Sequence, residues 1–232
     1  MTRPGEGGEY PFWSYEDLAL FLGAILPSFA VAAGIVRAGH VKGQTSITLL
    51  YQTLTYLLLL GVLYLLVARR YGRPFWRSLR WTGRFRGAWL CVVAGPALAI
   101  MTVILGVVLR EPEIRSPIED LISDRRSLVV MGLFIMVFGP VFEELTFRGF
   151  LFPLLARSWG PWAGILFTAA LFALVHGNQY RWSWQRLLGV GLAGVVFGYA
   201  RFKTGSTFAS TMVHASFNTT VFVAYLVQRS AR

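Results

Sequence analysis

Charge is scarce in this chain of 232 residues: 14% are charged, acids number 11, histidines three, and there is one cysteine. An ordinary soluble domain carries about 25% charged residues. With 55% hydrophobic residues and a mean hydropathy of +0.56, composition excludes a soluble globular fold. The lone Cys91 lies in an apolar stretch, so intrachain disulfides, cysteine-rich metal sites and c-type haem attachment are excluded, and it reads as packing. There is no His-Glu-x-x-His helix, and Ser206 and Ser210 lack a Gly-x-Ser-x-Gly setting. No half of the chain repeats with matching broken helices, as many transporters would. The longest polar connections, 69–87 and 110–127, are too short to carry a soluble core. At the N-terminus Glu6, Glu9, Glu16 and Asp17 face a lone Arg3, the wrong sign for the start of a signal peptide.

What is present is long apolar sequence. Runs near Leu18 to Val36, Ile47 to Ala68, Ala88 to Leu109, Leu128 to Leu155 and Thr207 to Val227 are each long enough to cross roughly 30 Å of hydrocarbon. Two shorter ones, Pro161 to Val175 and Leu187 to Ala200, read as short, tilted or re-entrant segments. The expected fold is all-α: a polytopic membrane helix bundle of about seven helical segments, eight if a re-entrant piece adds to them, around an intramembrane cavity. It divides into a polar N-terminal tail 1–17, variable membrane helices 18–127 and a C-terminal core 128–232. Arg69, Arg70, Arg73, Arg77, Arg80, Arg84 and Arg86 crowd into loop 69–87 beside Phe75, Trp76, Trp81 and Phe85. The positive-inside rule makes that loop and the N-terminus cytoplasmic. Between two spans such a loop contacts anionic lipid headgroups rather than nucleic acid.

Against this background Glu143, Glu144 and Arg148 stand out. A charge near the bilayer centre costs roughly 2.5–3.5 kcal/mol on insertion scales, so three so close must neutralise one another or line a polar cavity. Residues four apart share a helical face and neighbours diverge by about 100°, so Glu144 pairs with Arg148 while Glu143 points elsewhere and stays free. Gly139-Pro140 would break the helix just upstream and leave both glutamates in its first turns. His176 closes an apolar run, with Gly177 suited to the position after a helix end. His214 and Asn218, four apart, stack on one face of another segment. His40, in a loop beside Lys42, is unremarkable. Together Glu143, Glu144, Arg148, His176, His214 and Asn218 read as one shared site.

A desolvated carboxylate is a useful general base, an imidazole can orient a water, and a second imidazole with an amide can donate to a developing oxyanion. These parts suffice to hydrolyse an amide. Glu-Glu-x-x-x-Arg at Glu143 to Arg148, Phe-x-x-x-His at Phe172 to His176 and His-x-x-x-Asn at His214 to Asn218, in this order and each in a membrane segment, resemble the CAAX prenyl protease and bacteriocin-processing (CPBP, or Abi) family of intramembrane proteases. The resemblance covers about the last hundred residues. It implies an intramembrane endopeptidase that hydrolyses a peptide bond of a membrane-associated or prenylated protein. It also implies that Glu143 activates water with help from His176, that His214 and Asn218 form the oxyanion hole, and that Glu144 with Arg148 holds the geometry.

The favoured reading has no metal cofactor. Zinc held by His176, His214 and Glu143 is the alternative, since two histidines and a carboxylate make a catalytic zinc set. The expected partners are a protein or peptide substrate and membrane lipids, without nucleic acid, and the expected location is the cell (inner) membrane. The rival functions are a proton- or ion-coupled transporter, because buried acids and histidines also relay ions, and a non-catalytic membrane or self-immunity protein. One mismatch stands: at 1.5 Å per residue Glu143 lies roughly 8 Å and His214 roughly 10 Å from the cytoplasmic edge, but His176 about 22 Å.

Overall fold

The computed structural model describes residues 10–83, 85, 87–112, 120–122 and 124–231. Residues 1–9 of the polar tail, with Arg3, Glu6 and Glu9, and Arg84 and Arg86 of the basic loop lie outside the described residues. The described chain is helical. The elements are α1 (Tyr15–Ala38), α2 (Gln44–Arg69), the short α3 (Phe75–Ser78), α4 (Ala88–Val108), α5 (Arg125–Trp159), α6 (Pro161–Val175), α7 (Trp184–Thr204) and α8 (Thr207–Ser230). Length and apolarity together make α1, α2, α4 and α5 candidate membrane spans, and α6 is a shorter apolar helix. Trp89, Val93, Ile100, Val103 and Val107 on α4 all face outward. A band of that kind belongs in lipid, and the protein is an integral membrane protein.

Local chemistry starts the helices where they start. Ser14 and Asp17 form a capping box at α1, Asp124 and Ser127 another at α5, and the Ser206 hydroxyl accepts from Ala209 N–H at 3.2 Å to cap α8. The Ser127 backbone N–H beside Asp124 holds its carboxyl below the usual carboxylate range. Gly160, at φ +82°, makes the turn between α5 and α6, a left-handed conformation that a side chain would strain.

Contacts between small residues set the helix spacing. An added methyl on Gly95 of α4 would collide with Ser216 Oγ and the Phe217 backbone nitrogen of α8. On α7, Gly194 leaves only 3.1 Å for a methyl facing Ala169, and Gly198 3.2 Å facing Ile165, both on α6. The glycine series of α7 is thus the seat of α6. The N-terminal segment packs into the core against α5: Trp13 stacks on Phe150, its indole N–H donates to the Phe150 carbonyl at 3.0 Å, and Arg157 donates to the Pro11 carbonyl at 2.6 Å.

The chain does not break at Gly139-Pro140. Phe138 and Gly139 keep right-handed helical angles, and α5 instead widens into π turns over Phe134–Phe138 and Leu145–Leu151. The wide turn accommodates the proline, since Gly139 N–H reaches back to Phe134 C=O and the missing N–H of Pro140 falls on the next carbonyl. The glutamates therefore sit inside a continuous helix, not at a free N-terminus.

The depth mismatch also resolves. Helix α5 runs past Leu155 to Trp159, so Glu143 and His176 lie at nearly equal distances, roughly 22–26 Å, from the turn at Gly160. Helix α8 begins inward of that turn, because Thr207 packs beside Gly149 and its hydroxyl donates to Leu79 C=O at 2.5 Å. His214 then reaches the same level.

Gly95→Ala is expected to lower the unfolding midpoint in detergent by about 3–10 °C, the effect of roughly 1–3 kcal/mol of overpacking. Gly61→Ala, where a methyl meets nothing within 4 Å, should leave it the same or raise it slightly, since alanine is the better helix former. Differential scanning fluorimetry checks both.

Candidate active site

Arg148 is fully buried, and so is Glu144. The guanidinium donates from Nη1 to Glu144 Oε1 at 3.0 Å and from Nη2 to the Gly194 carbonyl at 2.7 Å, which ties α5 to α7. Its flat face lies over Phe172 at 4.8 Å and Phe197 at 5.4 Å. A methyl on Gly194 would approach Nη2 to 3.3 Å, so the glycine that seats α6 also admits the arginine. The pairing expected from the four-residue spacing is present.

Glu143 does not point away from this pair. Both carboxylates meet His214, Glu144 Oε1 at 3.0 Å from Nδ1 and Glu143 Oε2 at 3.8 Å from Nε2. Adjacent residues on a helix do diverge, but the two nitrogens of one imidazole face different ways, and the diverging side chains reach one each. Nor is Glu143 free. Its Oε1 accepts from the Tyr56 hydroxyl of α2 at 2.9 Å. The His214 ring is clamped by Phe197, stacked at 4.4 Å, and by the edge of Phe172 at 5.6 Å. Packing thus fixes its plane and leaves its nitrogens to the carboxylates.

Asn218 lies one turn beyond His214 and donates from Nδ2 to the Ile135 carbonyl at 2.9 Å. Ile135 is the carbonyl that Pro140 cannot serve, so the amide satisfies the acceptor that the wide turn leaves open. One N–H of Asn218 is engaged there, and the amide carries a second.

His176 follows the last residue of α6 and bonds through Nδ1 to the Phe172 carbonyl at 2.7 Å. A carbonyl only accepts, so Nδ1 carries the proton and Nε2 is the basic nitrogen of the neutral ring. Phe172 touches both imidazoles, 4.5 Å from His176 and 5.6 Å from His214 between ring centroids. Gly177 follows as the spacing suggests, but for another reason: a side chain there would run into the Trp182 ring at 2.6 Å. Tyr180 stacks on His176 and meets Arg186, which pairs with Glu111 at 2.5 Å.

The structure therefore brings Glu143, Glu144, Arg148, His214 and Asn218 together, with His176 reached through Phe172. Among the described residues no three His, Cys, Asp or Glu side chains group closely enough to hold a metal ion. The contact that sequence reasoning missed is Tyr56. Its signal was a polar patch, Gln52, Thr53, Thr55 and Tyr56, within an otherwise apolar span.

Residues 125–220 match the model of a protein family described as type II CAAX prenyl endopeptidase Rce1-like. This agrees with the resemblance carried by the three motifs. No curated protein and no solved structure matches the chain.

Arg148→Ala leaves Glu144 buried without its cation, and is expected to cost about 3–5 kcal/mol in stability. The double variant Glu144→Gln/Arg148→Met should recover much of that loss. Thermal unfolding of the three proteins in one detergent measures the difference.

Proposed function

We propose, from the family match over residues 125–220, that this protein is an intramembrane endopeptidase of the CAAX prenyl protease type. It hydrolyses a peptide bond of a membrane-associated or prenylated protein with a glutamate-activated water. The observation that carries the proposal is the line Glu143–His214–Glu144–Arg148, in which two carboxylates, an imidazole and a guanidinium meet inside an apolar bundle. With His214 protonated on both nitrogens the four charges sum to zero, which makes the cluster tolerable where a lone charge is not.

In the proposed reaction Glu143 Oε2, the oxygen not bonded to Tyr56, takes a proton from water as the hydroxide attacks the scissile carbonyl. His176, with Nε2 as its basic nitrogen, helps orient that water. Negative charge develops on the carbonyl oxygen, and the donors for it are His214 Nε2–H and the second N–H of Asn218. When the C–N bond breaks, the proton held by Glu143 passes to the leaving amine. Glu144 and Arg148 do not touch the substrate. Glu144 accepts from His214 Nδ1–H and so presents Nε2 to the reaction, while Arg148 holds Glu144.

The basic loop and the N-terminus lie on the cytoplasmic side of the cell membrane in this proposal, following the positive-inside rule. Arg69, Arg70, Arg73, Arg77 and Arg80 then meet anionic headgroups on the face where soluble proteins with lipidated C-termini would arrive. The reaction needs no metal.

Purified protein in liposomes, given a farnesylated reporter peptide ending in a Cys-aliphatic-aliphatic-X sequence, is expected to release the last three residues. Glu143→Gln should abolish release with an unchanged unfolding midpoint, and wild-type-like release by that variant would overturn the proposal. A chelator such as 1,10-phenanthroline should leave the rate unchanged, and zinc-restored loss would point to the metal alternative.

A further inference from the structure

Tyr56 belongs to α2, outside the stretch that matches the protease family, yet its hydroxyl reaches the glutamate proposed as general base. An ionised carboxylate can only accept, so the tyrosine donates. A hydrogen bond to a charged group in a low-dielectric interior is among the stronger ones a side chain makes. The ring that carries the hydroxyl is held as firmly as the bond. It lies face to face with Phe142 at 4.0 Å between centroids and 17° between planes, and Phe134 and Phe138 extend the stack at 5.8 and 6.4 Å. These three phenylalanines recur every fourth residue on α5, so the helix that presents Glu143 also builds the seat for its partner.

Glu143 has three side-chain torsions and its side chain is 15% exposed, and a carboxylate can present either of its two oxygens. Tyr56 removes that ambiguity. With Oε1 engaged at 2.9 Å, Oε2 is the oxygen that faces His214 Nε2.

We propose that Tyr56 is a positioning residue: its hydroxyl pins Glu143 Oε1, so that Oε2 alone is presented to the attacking water. The N-terminal helices then complete the active site as well as anchoring it. The inference rests on Glu143 being the general base, and its test separates the two ideas.

Tyr56→Phe keeps the ring and its stack and removes only the hydroxyl. In the reporter assay kcat is expected to fall about 10- to 100-fold, with KM within twofold and the unfolding midpoint unchanged, the pattern of a lost alignment and not of a lost fold or a lost substrate contact. A wild-type kcat for Tyr56→Phe, beside an inactive Glu143→Gln, overturns the inference and leaves the function standing. A fall in kcat that tracks a lower unfolding midpoint also overturns it, by making the tyrosine structural. The second readout does not depend on turnover: the infrared carboxylate band assigned to Glu143 from the difference between wild type and Glu143→Gln should shift in Tyr56→Phe. Absence of cleavage by the wild-type protein overturns the function, and an unshifted band overturns the pinning whatever the activity.

Discussion

A guanidinium with no access to solvent sits in the middle of an apolar helix bundle, and its neighbours are arranged around that constraint. Arg148 must find acceptors for its protons and a counter-charge, because the bilayer interior offers neither. It finds Glu144 one turn away and the backbone carbonyl of Gly194 on another helix. The carbonyl is reachable because position 194 has no side chain. Phe172 and Phe197 close over the guanidinium, and the same two rings clamp His214. The ion pair, the helix spacing and the imidazole orientation are thus one packing solution, with Glu144 passing the constraint from Arg148 to His214 Nδ1.

A second constraint comes from Pro140. A proline within a long helix removes a donor, and α5 absorbs this by widening rather than breaking. The carbonyl left open at Ile135 is answered from α8 by Asn218, which fastens α5 to α8 one turn beyond the Glu143–His214 contact. The wide turns of α5 therefore bracket the two glutamates, a placement common for π-helical turns at functional sites. The proposed oxyanion donors and the base are held in register by a backbone irregularity that looks, in isolation, like a defect.

Much of this is legible in the sequence because membranes make polar residues conspicuous. Glu143, Glu144, Arg148, His176, His214 and Asn218 could be picked out by the cost of burying them, and helical spacing alone anticipates the Glu144–Arg148 pair. The apolar runs likewise mark the helices, since an uninterrupted stretch of that length has few other places to be. What could not be read is how elements distant in the chain meet. One imidazole bridging two adjacent carboxylates depends on α8 approaching α5 side-on, which a wheel of α5 by itself does not contain. The helix break expected at Gly139-Pro140 does not occur because a wide turn is a third option between helix and break, and Asn218 supplies a donor to the Ile135 carbonyl there. Tyr56 was hidden for a different reason: tyrosine is ordinary in a membrane span, and only the fold shows its hydroxyl at a glutamate in a distant helix.

Glu144 is tied to Arg148 and His214, while Glu143 is held by Tyr56 with its other oxygen toward His214 Nε2. The claim that Glu143 is the group that cleaves is tested most directly in the cell that makes the protein, by comparing the C-termini of all membrane-associated proteins with the wild-type chain and with Glu143→Gln. With Glu143 as the cleaving base, a set of proteins should have C-termini a few residues shorter with the wild type and full length with the variant. Identical C-termini in the two cells, with both proteins present at equal levels in the membrane, would contradict it.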